Sequence, residues 1–144
     1  NDAVSSVSRL RDMGVEQYLI ASSLIGVVAQ RLVRKICSDC KESYKPSPQE
    51  AILLERYGLR ADILHRGKGC GNCNSTGYRG RIAIHEVLTI DDHLRQLITD
   101  SASVEELRLA AKEGGLVQLM EDGLLKVSQG MTTLQEVLRE TVSH

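Results

Sequence analysis

The sequence predicts an α+β fold in three parts: the tail of an α/β domain, a cysteine-bearing insert and a small helical C-terminal bundle. Three observations predict it. Two helical patterns run into a β-branched apolar stretch before residue 36. The four cysteines then fall into two pairs, Cys37-Ser-Asp-Cys40 and Cys70-Gly-Asn-Cys73. Beyond Asp91 the apolar periodicity is wholly helical.

In the first part, Val4, Val7, Leu10 and Met13 recur at near-helical spacing, and Gly14 is a natural stop, so a helix is expected over 3–13. A second, short helix is expected over 17–23. The run Leu24-Ile25-Gly26-Val27-Val28-Ala29 leads into Gln30-Arg31-Leu32-Val33-Arg34. Its β-branched content and charged end suit a buried strand that emerges into solvent.

The insert begins at Cys37. Ser47-Pro48-Gln49-Glu50 supplies a cap, a first-turn proline and a glutamate three residues after the cap, predicting a helix over 48–57 that ends at Gly58. Gly67, Gly69, Gly71, Gly77 and Gly80 follow, where the backbone can turn tightly or take positive φ. Residues 81–88 alternate well enough to form a strand.

The two cysteine pairs have the composition and spacing of one tetrahedral zinc site. Zinc binds thiolates at about 2.3 Å, and a two-residue gap lets one tight turn aim two sulfurs at the same ion. Cys37, Cys40, Cys70 and Cys73 would complete the shell, leaving no place for water or substrate, so Zn2+ here is expected to be structural. Two disulfides are the alternative, but no secretory signal or cysteine-dense composition supports them. A thioredoxin-like redox motif needs one pair beside a βαβ pattern, which is not the arrangement here. The formal charge of about −2 on such a centre could be offset by Lys35, Lys41, Arg66, Lys68, Arg79 and Arg81. Losing the metal is expected to loosen residues 37–80 and leave the C-terminal helices largely formed.

After Asp91, Leu94, Leu97 and Ile98, then Val104, Leu107 and Ala111, mark helical faces. Ser103 with Glu106 and Thr133 with Glu136 have capping-box spacing, while Gly114-Gly115 and Gly130 mark helix ends. Leu119, Met120, Leu124 and Val127, then Leu134, Val137 and Leu138, complete the stripes. A bundle of about four helices with no cofactor groove is expected.

The chain is 42% hydrophobic with no Trp or Phe, so its core must be aliphatic. Its net charge of −1, with acidic and basic residues interspersed, provides no basic field for a phosphate backbone, and nucleic acid is not an expected partner. No apolar run approaches the roughly 20 residues that cross a bilayer, and the cysteines suit a reducing compartment, so a cytoplasmic location is expected. The start at Asn1, without an initiator Met, suggests a piece of something longer.

Other polar residues have ordinary readings. Arg31 and Arg34 suit a solvated strand end, although they could approach a nucleotide or a neighbouring subunit. His65 precedes Cys70 closely, but four thiolates already fill a zinc shell. His85 beside Glu86 fits a strand-face pair better than acid–base work. Asp91-Asp92 suits helix-start chemistry.

At these residues the chain resembles the C-terminal portion of the bacterial type II secretion ATPases and the related type IV pilus assembly ATPases. The resemblance runs from Asn1-Asp2-Ala3 through Val27-Val28-Ala29-Gln30-Arg31-Leu32-Val33-Arg34 and both cysteine pairs. It continues through Gly77-Tyr78-Arg79-Gly80-Arg81-Ile82-Ala83-Ile84-His85-Glu86 and ends in Gly130-Met131-Thr132-Thr133-Leu134-Gln135-Glu136-Val137-Leu138-Arg139. It implies that residues 1–36 are the C-terminal tail of a RecA-like ATPase domain, 37–80 a tetracysteine metal-binding subdomain, and 81–144 a strand plus a helical C-terminal domain. It further implies a homo-hexameric parent that uses ATP and Mg2+, acts with inner-membrane platform proteins, and lies peripheral to the bacterial inner membrane without spanning it.

No window of the chain matches the Gly-x-x-x-x-Gly-Lys-Ser/Thr run that wraps backbone N–H groups round phosphates. The phosphate-binding motifs of the family are expected upstream of Asn1. The fragment itself is therefore expected to carry no catalytic or nucleotide-binding residue and to serve structure and coupling. The alternative is a free-standing zinc-ribbon module that binds protein or nucleic acid, whose affinity for nucleic acid would fall steeply with salt.

Overall fold

Apolar periodicity and capping residues set out most of the elements of the computed structural model, which describes residues 2–60 and 62–142. The chain is a mixture of helices and strands. α1 spans Ala3–Asp12 and α2 Gln17–Ser23, followed by β1 over Gly26–Ile36. The segment between the cysteine pairs forms β2 (Lys41–Tyr44), α3 (Pro48–Arg56) and β3 (Leu64–Gly67). β4 covers Tyr78–Thr89, and the helices α4 (Asp92–Thr99), α5 (Val104–Glu113), α6 (Leu119–Ser128) and α7 (Leu134–Thr141) complete the chain. Asn1, the first residue of the stretch that carries the resemblance, lies outside the described residues.

Among the described residues there are two small sheets, β1 paired with β4 and β2 paired with β3. The second is antiparallel, in a register running from Lys41 opposite Gly67 to Tyr44 opposite Leu64. Contacts divide the chain into two units, Asn1–Gln30 with His85–Gln118, and Arg31–Ile84 with Leu119–His144.

In the first unit α2 packs on α4, α1 on α5, and α4 on α5. Its core is aliphatic, as a chain without Phe or Trp requires, and includes Val4, Val7, Ile20, Leu88, Ile98 and Leu107. Two carboxylates fix the start of α1. Asp2 is the N-cap, accepting from Ser5 N at 2.9 Å, and its other oxygen is paired with Arg108 of α5 at 2.8 Å. The buried Glu86 of β4 accepts from Ala3 N at 2.7 Å.

The second unit has one core built from Leu54 of α3, Leu64 of β3, Leu124 and Val127 of α6, and Leu134 and Val137 of α7. Gly123 allows α6 and α7 to approach closely, since a Cβ there would stand 2.5 Å from Val137 Cγ1. The capping box predicted for α3 is formed. Ser47 Oγ accepts from Glu50 N and the Glu50 carboxylate accepts from Ser47 N.

β1 reverses the burial expected of it. Its first residues are the exposed ones, with Val28 at 62%, and burial is complete only at Val33 and Ile36. The continuous apolar run reads as burial on both faces. A strand turns alternate side chains to opposite faces, however, and only the face carrying Val27 and Ala29 packs against the core of the first unit. The four helices expected after Asp91 are present as α4 to α7, packed as the pairs α4 with α5 and α6 with α7.

Candidate metal centre

β1 ends one residue before Cys37, whose N–H donates to Gly77 O at 3.0 Å. On the other side of the cluster, Lys68 N–H donates to Cys40 O at 3.0 Å. The turn that carries Cys70 and Cys73 is wound tightly. It includes a 3-10 helix over Gly71–Cys73, after which Asn74 and Ser75 both take left-handed φ. Gly69 (φ +103) and Gly77 (φ +82) supply two further left-handed positions that glycine tolerates without strain.

Gly67 and Gly77 also meet backbone to backbone. A Cβ built on Gly67 would lie 2.0 Å from Gly77 O, and one on Gly77 would lie 2.6 Å from Gly67 O. This crossing brings the two cysteine turns together, and no side chain fits within it.

The four sulfurs lie within 4.8 Å of one another. Cys37 and Cys70 Sγ are 3.9 Å apart, Cys40 and Cys73 3.8 Å, and Cys70 and Cys73 3.7 Å. The edge of a tetrahedron with bonds of about 2.3 Å is about 3.8 Å, so these three separations match the edge of a tetrathiolate zinc shell. Disulfide sulfurs are about 2.05 Å apart, and all four cysteines are free.

The backbone around the cluster also suits thiolates. Gly69 N–H donates to Cys40 Sγ at 3.3 Å, and Cys70 and Gly77 N–H both donate to Cys73 Sγ at 3.2 Å. Such N–H···S bonds disperse charge and orient the ligands. They also divide the thiols. Burial raises the Cys73 pKa, but the N–H groups of Cys70 and Gly77 outweigh it and bring the thiol down to about 6. Cys40 is drawn down by Gly69 N–H, yet burial and the neighbouring sulfurs push it up to about 12. The arrangement is compatible with a structural zinc held by Cys37, Cys40, Cys70 and Cys73. The structure brings together the four cysteines that the sequence pairs, and Gly69 and Gly77, read from sequence as turn positions, supply two of the three N–H donors.

His65 is not part of this cluster; its Nδ1 is buried without a hydrogen-bond partner among the described residues. Two of the cations expected to offset the charge of the centre are engaged with carboxylates. Arg66 pairs with Glu42 at 3.0 Å, and Arg79 lies 3.5 Å from Asp39, which also accepts from Asn72 Nδ2.

Arg34, though half-exposed, is held by partners at the strand end. Its guanidinium pairs with Glu136 at 2.5 Å and stacks over the Tyr78 ring at 4.2 Å, while its backbone N–H donates to the same carboxylate at 3.0 Å. Glu136 is only 2% exposed. Burial acts to raise its pKa, but the bonds and charge of Arg34, with Arg139, hold it below the ordinary carboxylate value. Sequence reading assigned Glu136 to a capping box and missed this role, since no local pattern links position 34 to position 136. His85 and Glu86 do not form a strand-face pair. Alternation sends them to opposite faces, His85 exposed and 3.1 Å from Gln30 Oε1, Glu86 buried. Asp91 starts α4 as expected, accepting from Leu94 N at 2.8 Å. No helix among the described residues is long and apolar enough to cross a membrane.

The family described as "Type II/IV secretion system protein" matches residues 1–139. Among similar proteins, the type IV pilus assembly ATPase PilB of Thermus thermophilus is 47% identical over 99% of this chain. The type II secretion system ATPase E of Vibrio cholerae is 47% identical over 98% of the chain, and the type II secretion system protein E of Pseudomonas aeruginosa 45% identical over 98%. The chain spans 16% of the Thermus protein and 28% of each of the other two. With the family matched from residue 1 to residue 139 and relatives of both kinds aligned through the cysteine cluster, the chain belongs to the type II/IV secretion system proteins.

Proposed function

We propose that this chain is the C-terminal portion of a cytoplasmic, homo-hexameric ATPase that powers type II protein secretion or type IV pilus assembly. The observation that carries this reading is identity of 45–47% to relatives of both kinds over nearly the whole chain. In that reading residues 1–36 close a RecA-like ATPase domain, 37–80 form the metal subdomain, and 81–144 form the strand and helical C-terminal domain. The parent would use ATP and Mg2+, bind platform proteins, and lie against the bacterial inner membrane.

Within such a motor the role of this portion is structural and coupling. Four sulfurs that fill a tetrahedral shell leave zinc no open position, so the ion when bound contributes a cross-link. The residues round it hold that cross-link in place: Gly69, Cys70 and Gly77 direct N–H groups at sulfur, and the Gly67–Gly77 crossing sets the spacing of the two turns. The chain contains no phosphate-loop run, and it is proposed to turn over no ATP alone. The test is a paired measurement on the purified chain, elemental analysis and ATP turnover. One zinc per chain without turnover is the expected result. Turnover by the chain alone would overturn its non-catalytic role, and a chain that takes up no zinc would overturn the structural metal.

A further inference from the structure

We infer that the cysteine cluster controls the folding of α6 and α7, helices that lie far downstream of its last ligand. This rests on the proposed reading of the four cysteines as zinc ligands. It reverses the expectation from sequence that the metal insert and the C-terminal helices are independent.

The argument starts from the core that these helices share. α6 and α7 are short helices, of a length that is marginal in water without a packed face. Their buried residues Leu124, Val127, Leu134 and Val137 form one core with Leu54 and Leu64. Those two partners lie on α3 and β3, inside the segment between Cys40 and Cys70. That segment is a loop whose two ends the cluster ties together. A bound ion closes the loop in the folded state. Without it, ordering residues 41–69 must also meet the entropy of bringing the ends together. Whatever loosens the loop removes Leu54 and Leu64 from beneath α6 and α7.

Hydrogen bonds tighten the same connection. Ile36, immediately before Cys37, donates its N–H to Met131 O at 3.0 Å, and Thr132 Oγ1 donates to Arg34 O at 2.7 Å. Glu136 of α7 holds the guanidinium and the N–H of Arg34. On the far side of the loop, Gly130 closes α6 so tightly against β2 and β3 that a Cβ there would stand 3.0 Å from both His65 Nδ1 and Lys41 Nζ. Each of these contacts has one partner in α6, α7 or their connection and the other in the strands that lead into or out of the cluster.

The first unit has its own core, made by α1, α2, α4 and α5 with Leu88 of β4 and with Val27 and Ala29 of β1 packed against it, and this core uses no residue between the cysteines. Metal loss is therefore expected to open the second unit selectively. In this arrangement the metal is a folding switch for the C-terminal helix pair as well as a staple for its own loop.

Hydrogen–deuterium exchange on the zinc-loaded protein, before and after treatment with an excess of a zinc chelator, tests this. Elemental analysis of both samples reports the metal independently of exchange. The expected result is that amides of residues 41–69, α6 and α7 lose protection together, by at least about tenfold, while those of α1, α4 and α5 keep theirs. Re-addition of zinc should restore the protection. Continued protection of α6 and α7 while residues 41–69 open would overturn the inference, as would equal loss throughout the chain. A protein that holds no zinc before chelation, or gains none on addition, would overturn the underlying metal reading, and the elemental measurement distinguishes that failure from the other two.

Discussion

At the scale of single residues, the cysteine cluster depends on two glycines that supply no side chain to it. Gly67 and Gly77 pass each other backbone to backbone, and the 2.0 Å between a Cβ on Gly67 and the Gly77 carbonyl leaves no rotamer to adjust, since a methyl group has none. Relief requires backbone movement in the turns that place Cys70 and Cys73. Gly67→Ala is thus expected to cost about 3 kcal/mol or more, at the upper end of small-to-large substitutions, and to weaken zinc retention. Gly71 lies within the same turn, yet a Cβ there meets nothing within 4 Å and its φ is not in the left-handed region. Gly71→Ala should stay within about 0.5 kcal/mol of the parent. Denaturant unfolding and competition with a zinc indicator on both variants would check the contrast. Similar losses at the two positions would show that glycine is needed in this turn for chain flexibility and not for the crossing.

At the scale of elements, local signals were legible and long-range ones were not. Ser47, Pro48 and Glu50 announced α3 because a cap, a first-turn proline and a reciprocal carboxylate act within four residues, and the structure forms that box. The cysteine spacing was legible for the same reason, each pair being one turn. Val28 and Leu32 misled because a run of apolar residues does not say whether one face or two will be covered; both are exposed. Glu86 and Glu136 were illegible as buried acids, since their partners Ala3 and Arg34 are distant in sequence and only the tertiary fold supplies them. The box on α3 offers a clean test of how a cap contributes to the unit that holds the cysteine cluster. Ser47→Ala removes the acceptor for Glu50 N, and a cost of about 1 kcal/mol to that unit is expected. Ser103→Ala removes the corresponding acceptor on α5 in the other unit. Exchange measured helix by helix should show the first variant loosening α3, and the second loosening α5 without altering α3.

At the scale of the whole molecule, acid stability follows from three carboxylates held below their ordinary pKa. Asp2 belongs to one unit, and Glu50 and Glu136 to the other. In each, burial acts to raise the pKa and is outweighed by hydrogen bonds: those of Ser5 and Arg108 at Asp2, of Ser47 and Tyr44 at Glu50, and of Arg34 at Glu136. A carboxylate whose folded pKa is depressed binds its proton less readily in the folded than in the unfolded chain, so the stability it contributes is complete above the unfolded value. That value is 3.8 for Asp2 and 4.5 for the two glutamates, and the contribution is lost as pH falls through the lowered folded values. Stability should thus be nearly flat with respect to these groups above about pH 5.5 and decline below about pH 4.5. Glu136→Gln isolates one of the three. The amide cannot carry the charge that Arg34 faces, so the variant should be less stable than the parent at neutral pH. Because Arg34 is 42% exposed, solvent screens the pair and the difference should be about 1–2 kcal/mol, below that of a fully buried pair. The two curves should converge in acid, where the parent's Glu136 is protonated and resembles the amide. Unfolding free energies measured from about pH 3 to pH 7 would check this. A constant gap across the range would mean that Glu136 acts through shape and hydrogen bonding, with its ionisation irrelevant to the fold.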